Sequence, residues 1–313
     1  MITVAGEALM DIVVAPSGAA TAFAGGAPFN VARMIARLGG DCRFLGRISG
    51  DRFGRGLRAE LDRLGISLPL PDPTPAPTTL AIAELDDDGI AEYTFYLDGT
   101  AAAQLELHAL APAILRDSRV IVFGGLGIVM EPIASTVSEL IRRVRHDAMV
   151  VLDVNCRERA IKDVAAYRRT VTELLAHVDI VKVSVEDMRV LAPGEDPGRA
   201  GRALLDCGAA AVLLTDGPNP VTALTPSGER FVAVPAVQVV DTVGAGDAFV
   251  AAFVMSSSNR FLEVGALNPD DLARATEAAV PVATAACTMP GARLPDDLVW
   301  PRSEEAPASV ALD

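Results

Sequence analysis

Four β-branched runs, VIVFGG (120–125), MVVLDV (149–154), DIVKVS (179–184) and AVLLTD (211–216), alternate with stretches of helical periodicity near 132–146, 164–177 and 197–207. Strands with so little polar alternation are covered on both faces, and a helix between each pair supplies the crossover that parallel neighbours need. The rhythm extends upstream. MITVAGEALMDIVVA reads as a first strand, residues 30–38 as a helix stopped by Gly39-Gly40, and 42–48 as a strand; Leu57, Leu61 and Leu64 mark one face of a helix ending at Gly65. The expected class is α/β, a doubly wound and mostly parallel sheet with helices on both faces.

One region breaks the pattern. LPLPDPTPAPTT (68–79) is proline-dense and reads as an extended connector. It leads into TLAIAEL and AEYTFYL, two β-rich runs around the turn Asp86-Asp87-Asp88-Gly89. The segment 12–24 reads as short strands around Pro16-Ser17-Gly18, so the two regions together predict a small separate sheet. No internal repeat is evident, and 313 residues suffice for one large α/β domain carrying such an insertion.

Composition excludes several classes. A net charge of −14 speaks against a nucleic-acid surface, which needs a basic stripe, although local backbone dipoles can still hold an anion. Cys42, Cys156, Cys207 and Cys287 are far apart with no C-x-x-C, and His108, His146 and His177 lack metal-ligand spacing. The apolar N-terminus is broken by Glu7 and Asp11 and has no basic flank, and no run reaches the length of a membrane span. A reduced, cytoplasmic chain with no membrane partner is the expectation.

The chemistry concentrates in DTVGAGDAF (241–249). The β-branched Val237–Val240 precedes it as a strand end, and the apolar 248–255 follows as a buried helix with Asp247 in its first turn. A helix N-terminus exposes unpaired N–H groups, and glycines let an anion approach them, so Gly244-Ala245-Gly246 fits a phosphate cradle. Within such a cradle an acid needs a task, and accepting the proton of a hydroxyl that attacks phosphorus is one. The helix terminus is expected to keep Asp247 ionised. The same residues also fit an ordinary turn with Asp247 as a cap. The Walker pattern is absent, since Asp-Ala follows the glycines, and Phe249 stands where a dinucleotide fingerprint needs a third glycine. A second glycine turn, Gly25-Gly26-Ala27-Pro28-Phe29-Asn30, opens a helix with Asn30 expected at its cap. Asp11, expected at the close of the first strand, completes a set suited to binding a polyol.

Taken together, GGAPFNVARMIARLGGDCRFLGRISGDRFG (25–54) and DTVGAGDAF resemble the two signatures of the ribokinase-like, or PfkB, carbohydrate kinases, most closely the fructokinase branch. The resemblance covers nearly the whole chain. It implies an ATP-dependent sugar kinase, with fructose as the foremost acceptor; 2-keto-3-deoxygluconate, ribose or a nucleoside are same-family alternatives, and a non-catalytic sensor is the alternative from another class. A β lid (12–24 and 71–99) is implied over a core (1–11, 25–70 and 100–300), with 301–313 as a mobile tail and the lid edges as a route to a homodimer. Asp247 matches the catalytic base, and Gly244, Ala245 and Gly246 the anion hole. Asp11, Gly25, Gly26, Asn30 and Arg157 match sugar-side positions. Lys182, Ser184, Thr215, Gly217, Gly246, Thr284 and Cys287 match nucleotide-side positions. Asp187 matches a magnesium-linked position, and Asp241 and Thr242 a stretch linked to a monovalent cation such as K+. ATP and Mg2+ are the implied cofactors.

Overall fold

The computed structural model describes residues 1–88, 91–106, 108, 117–144, 147–257 and 267–301. Residues 302–313 of the tail expected to be mobile, 89–90 of the expected lid with Gly89 of its hairpin turn, and 107, 109–116, 145–146 (with His146) and 258–266 of the expected core lie outside the described residues. In chain order the elements are β1 (Ile2–Ala5), β2 (Leu9–Val14), β3 (Ala20–Gly25), α1 (Ala27–Arg37), β4 (Cys42–Leu45), α2 (Arg52–Arg63), β5 (Thr79–Leu85), β6 (Ala91–Tyr96), β7 (Val120–Gly124), α3 (Ile133–Val144), β8 (Met149–Asp153), α4 (Val164–Leu175), β9 (Ile180–Ser184), α5 (Val185–Leu191), α6 (Pro197–Asp206), β10 (Ala211–Asp216), β11 (Asn219–Thr225), β12 (Gly228–Val232), α7 (Ala245–Ser257) and α8 (Pro269–Ala286).

The main sheet has eight strands in the order β12-β11-β10-β9-β8-β7-β1-β4. From β4 to β10 every pairing is parallel, and β11 and β12 close one edge as an antiparallel pair. Alternate residues feed two cores. Val4, Val122, Val151 and Leu213 pack with α1, α7 and α8, whereas Ile121, Phe123, Leu152 and Val183 pack with α3, α4 and α6. Helix α7 is buried from Asp247 to Val254 because it is apolar all round and lies against both α1 and α8. The doubly wound expectation holds.

A four-stranded sheet, β3-β2-β5-β6, stands apart, with β2 and β5 parallel and both edges antiparallel. Here the expected first strand is corrected. Gly6, Glu7 and Ala8 interrupt it, so Ile2–Ala5 joins the main sheet and Leu9–Val14 the small one; Asp11 therefore sits within β2 rather than at the close of β1. Val237–Val240, expected to end a strand, have no ladder partner among the described residues. Val239 and Val240 are exposed, and the Val240 and Asp241 amides donate to the Cys287 carbonyl instead.

Topology positions the site. The chain winds away from β1 in both directions, toward β4 and toward β7, and in such sheets ligands bind beyond the carboxyl ends of the strands at this switch. Glu7, Gly124, Asp153, Ser184 and Asp216 all stand at or just beyond those ends.

Candidate active site

Asp247 lies in the first turn of α7 with only 6% of its surface exposed. Its Oδ2 accepts a hydrogen bond of 2.9 Å from Asn30 Nδ2, and its Oδ1 a longer one of 3.5 Å from Asn155 Nδ2. Asn30 is not the cap of α1. Gly26 caps it, because Pro28 already occupies the first turn, and Asn30 sits inside the helix facing α7. Asn155 adopts a left-handed φ of 38° in the loop after β8. Such strained non-glycine positions gather at functional sites.

Burial pushes the Asp247 carboxyl up to about 6, with the Asp153 charge adding to the rise; the Asn30 donor and the Arg157 and Lys182 charges pull it back. The helix terminus alone therefore does not set its charge as expected, since removing the carboxylate from water outweighs it. A base at this position must be deprotonated to work. We expect kcat/KM to fall with unit slope as pH drops below about 6, a profile that stays flat down to pH 5 being the contrary result. Asp11 is likewise raised to about 6 by burial, partly offset by Arg157, so a slope approaching two would show that both ionisations matter.

Gly244 has φ 80° and abuts Ala292, where a Cβ would stand 2.6 Å from the Ala292 Cα. The resulting turn spends the Ala245 amide on the Thr242 carbonyl. Among the described residues the Gly244, Gly246 and Asp247 amides take no acceptor. Three amides, rather than the full set, are thus available to an anion at this helix end.

Next to them stands a buried cation. Lys182 and Asp153 are partners in the β9–β8 register, and Lys182 Nζ lies 3.0 Å from Asp153 Oδ1 with both side chains buried. A Cβ on Gly246 would meet Lys182 Nζ at 3.1 Å, so the ammonium reaches the cradle rather than the surface. Arg157 is exposed, yet its charge acts on Glu7, Asp11, Asp153 and Asp247 alike. Gly25 packs so tightly on Asp11 that a Cβ there would fall 1.9 Å from Asp11 Oδ2.

Other expected positions carry structural work. Ser184 and Asp187 form a capping box at the start of α5, and Asp187 Oδ1 also accepts from the Cys156 amide at 2.7 Å. Asp241 accepts from the Val243 and Gly291 amides, which ties the 241–244 turn to the loop after α8. Thr242 is exposed, and its carbonyl holds Ala245. Thr215 pairs with Ser184 across β10 and β9, and Gly217 turns the chain into β11 with φ 51°. Thr284 is buried with its hydroxyl donated to the Val280 carbonyl, and Cys287 caps the C-terminus of α8. Among the described residues no three His, Cys, Asp or Glu side chains gather as a metal nest. Because Asp187 and Asp241 each accept backbone amides on both oxygens, they suit a cation held mainly by phosphates and water.

Glu7 was not singled out from the sequence as a site residue. It is a fully buried carboxylate raised to about 7 by burial, and it accepts from the Leu126 and Gly127 amides. Its signal was available, since an acid between two apolar strands next to Gly6 needs buried donors.

Residues 1–298 match the family described as pfkB family carbohydrate kinase. A fructokinase of Rhizobium leguminosarum bv. trifolii is 34% identical over 263 residues, covering 82% of this chain and 79% of the relative. Among solved structures, a fructokinase from Xylella fastidiosa with bound ATP superposes with TM-score 0.83 at 28% identity, covering 93% of both chains. An aminoimidazole riboside kinase from Salmonella enterica, complexed with aminoimidazole riboside and an ATP analog, superposes with TM-score 0.81 at 27% identity over 93% of this chain and 94% of that one.

Proposed function

The chain belongs to the pfkB family of carbohydrate kinases, phosphotransferases that act on a sugar hydroxyl, and on that premise we propose that it passes the γ-phosphoryl group of ATP to a primary hydroxyl of fructose, giving fructose 6-phosphate. The observation that carries the reading is a buried carboxylate, Asp247, set beside three amides without acceptors at the start of α7. The attacking hydroxyl hydrogen-bonds Asp247 and gives up its proton as the O–P bond forms, while the Gly244, Gly246 and Asp247 amides and the Lys182 ammonium face the charge spreading over the phosphoryl oxygens. Asp11, the Gly25-Gly26 turn and Arg157 hold the sugar. Thr215, Gly217 and the α8 terminus at Thr284 and Cys287 flank the nucleotide.

Ser184 and Asp187 would hold magnesium, which would supply charge neutralisation at the phosphates. The Asp241–Thr242 turn is the place for a monovalent cation. The small sheet serves as the lid that excludes water, which would otherwise compete as acceptor. Two ion pairs support its closure, Glu92 with Arg159 at 2.5 Å and Asp98 with Lys162 at 2.9 Å. The lid's free edges, β3 and β6, are suited to pairing with a second copy. No helix among the described residues is long and apolar enough to cross a membrane.

One observation favours a second acceptor class. Phe23, Asp11, Ala81 and Phe95 are neighbours across the small sheet, Tyr93 stacks on Phe95, and Phe23 and Tyr93 are exposed. Aromatic rings beside a hydroxyl-binding acid suit a riboside carrying a heterocycle. A panel of fructose, 2-keto-3-deoxygluconate, ribose, nucleosides and aminoimidazole riboside, read by coupled ADP release, decides between them. We expect fructose to give the highest kcat/KM; a silent fructose beside an active riboside overturns the choice of acceptor.

A further inference from the structure

Helix α1 carries a chain of contacts that ends on the proposed base. Asn30 and Arg33 are three residues apart and so share a face of the helix. Arg33 Nη1 donates to Asn30 Oδ1 at 3.1 Å, and Asn30 Nδ2 donates to Asp247 Oδ2 at 2.9 Å. Arg33 is itself fixed on two sides. Its Nη2 lies 2.7 Å from Glu60 Oε1 on α2, and its guanidinium carbon stands 5.5 Å from the Phe29 ring centroid. Arg33 and Glu60 retain only 18% and 22% side-chain exposure.

The chemistry of the three groups makes this chain directional. A carboxamide can present either its oxygen or its nitrogen to a neighbour, whereas a guanidinium has donors only and a carboxylate accepts only. With Arg33 on one side, the amide oxygen must face Arg33 and the nitrogen must face Asp247. The reverse orientation would set an oxygen against the carboxylate and an N–H against the guanidinium. Asp247 Oδ2 is thereby engaged, and Oδ1, whose protein donor Asn155 lies at 3.5 Å, is left to meet the substrate.

Resting on the reading of Asp247 as the base, we propose that Arg33 is a positioning residue for phosphoryl transfer: held by Glu60, it fixes the Asn30 amide so that Asp247 presents Oδ1 to the acceptor hydroxyl. Arg33 touches no reacting atom and acts only through Asn30. The remaining charged groups that face Asp247 come from other elements, Asp153 at the end of β8, Arg157 in the loop after it and Lys182 on β9, so a change at Arg33 leaves them in place.

The test compares Arg33→Met, Arg33→Lys, Glu60→Gln, Asn30→Ala and the double variant Asn30→Ala/Arg33→Met with wild type. Fructose and magnesium–ATP are the substrates, pH runs from 5 to 8, and melting curves are recorded alongside. Loss of a charge-assisted bond that orients the amide is expected to lower kcat about tenfold in Arg33→Met, with KM for both substrates within about twofold. The acid limb of the rate profile should move to higher pH, because Asn30's donation is one of the influences that hold the Asp247 proton affinity down. Arg33→Lys should recover part of the loss and Glu60→Gln should show a smaller one. The double variant should be no slower than Asn30→Ala alone. Wild-type kcat and an unmoved limb in Arg33→Met, or losses that multiply in the double variant, overturn the proposal. If Arg33→Met fails to fold, Arg33→Lys and Glu60→Gln carry the same comparison. Asp247→Asn separates the two readings. Turnover surviving there removes the base itself, whereas an inert Asp247→Asn beside a normal Arg33→Met removes only the relay.

Discussion

Asp247→Asn is expected to lower kcat by roughly two to four orders of magnitude while the acceptor's KM stays within a few fold. The substitution keeps the shape of the side chain and an oxygen that can accept from Asn30, and it removes the capacity to take a proton. On the proposed reading, positioning by the small sheet and charge stabilisation by the amides survive the substitution, so a residual rate above that in water should persist. The same variant should be the more stable protein. Burial raises the Asp247 proton affinity from the ordinary 3.8 to about 6, so the folded state holds this proton more tightly than the unfolded chain does. Stability then falls as pH rises from about 4 to about 6, and the full cost of the buried charge is present above that window. Asp247→Asn should therefore melt above wild type at pH 8, with the difference shrinking through pH 6 and vanishing near pH 4. A variant that is inactive and stabilised only at the higher pH identifies a functional buried charge. A variant with normal kcat would mean that the acceptor hydroxyl loses its proton elsewhere.

What the sequence reveals of this arrangement follows from how local each signal is. DTVGAGDAF is legible because its parts lie side by side: a turn that needs glycine, an acid, and a run too apolar to be anything but the buried α7. The alternating strands and helices are equally local, and both faces of the main sheet are filled as that pattern requires. Asn30 is a different case. The Pro28 signal places the helix start before it, so Asn30 falls inside α1 on the face that packs against α7, which is how it reaches a carboxylate more than two hundred positions away. Register is not written locally at all. Asp153 and Lys182 are ion-pair partners only because β8 and β9 align them, and neither strand alone carries that information. Val237–Val240 shows the limit of composition. β-branched residues favour a pleated, half-buried surface, but a strand also needs a neighbour, and among the described residues no strand pairs with Val237–Val240. The hairpin β11–β12, absent from the sequence-based expectations, is the opposite case; it forms because β10 leaves an open edge on which it pairs antiparallel.

The register-made pair carries the second large effect. Lys182→Met should cost on the order of 3–5 kcal/mol of stability, since it strands the Asp153 carboxylate in the interior without its counter-charge. Asp153 has little to fall back on, because its Oδ2 is already buried without a partner among the described residues. Asp153→Asn/Lys182→Met, which removes both charges, should recover most of that loss. The kinetic consequences run in opposite directions. Lys182 lowers the proton affinity of Asp247 and Asp153 raises it, so the acid limb should move up in pH in Lys182→Met and down in Asp153→Asn. Opposed shifts cannot come from loosened packing, which would slow both variants alike. The amplitude above the limb then tells what else the ammonium does. If Lys182 serves only as counter-charge, kcat at pH 8 recovers in the double variant along with stability. If its Nζ beside Gly246 also meets the transferring phosphoryl group, the double variant stays slow at every pH despite a restored melting temperature. We expect the latter, because the register that pairs Lys182 with Asp153 also brings its charge against the start of α7, where the three amides without acceptors lie.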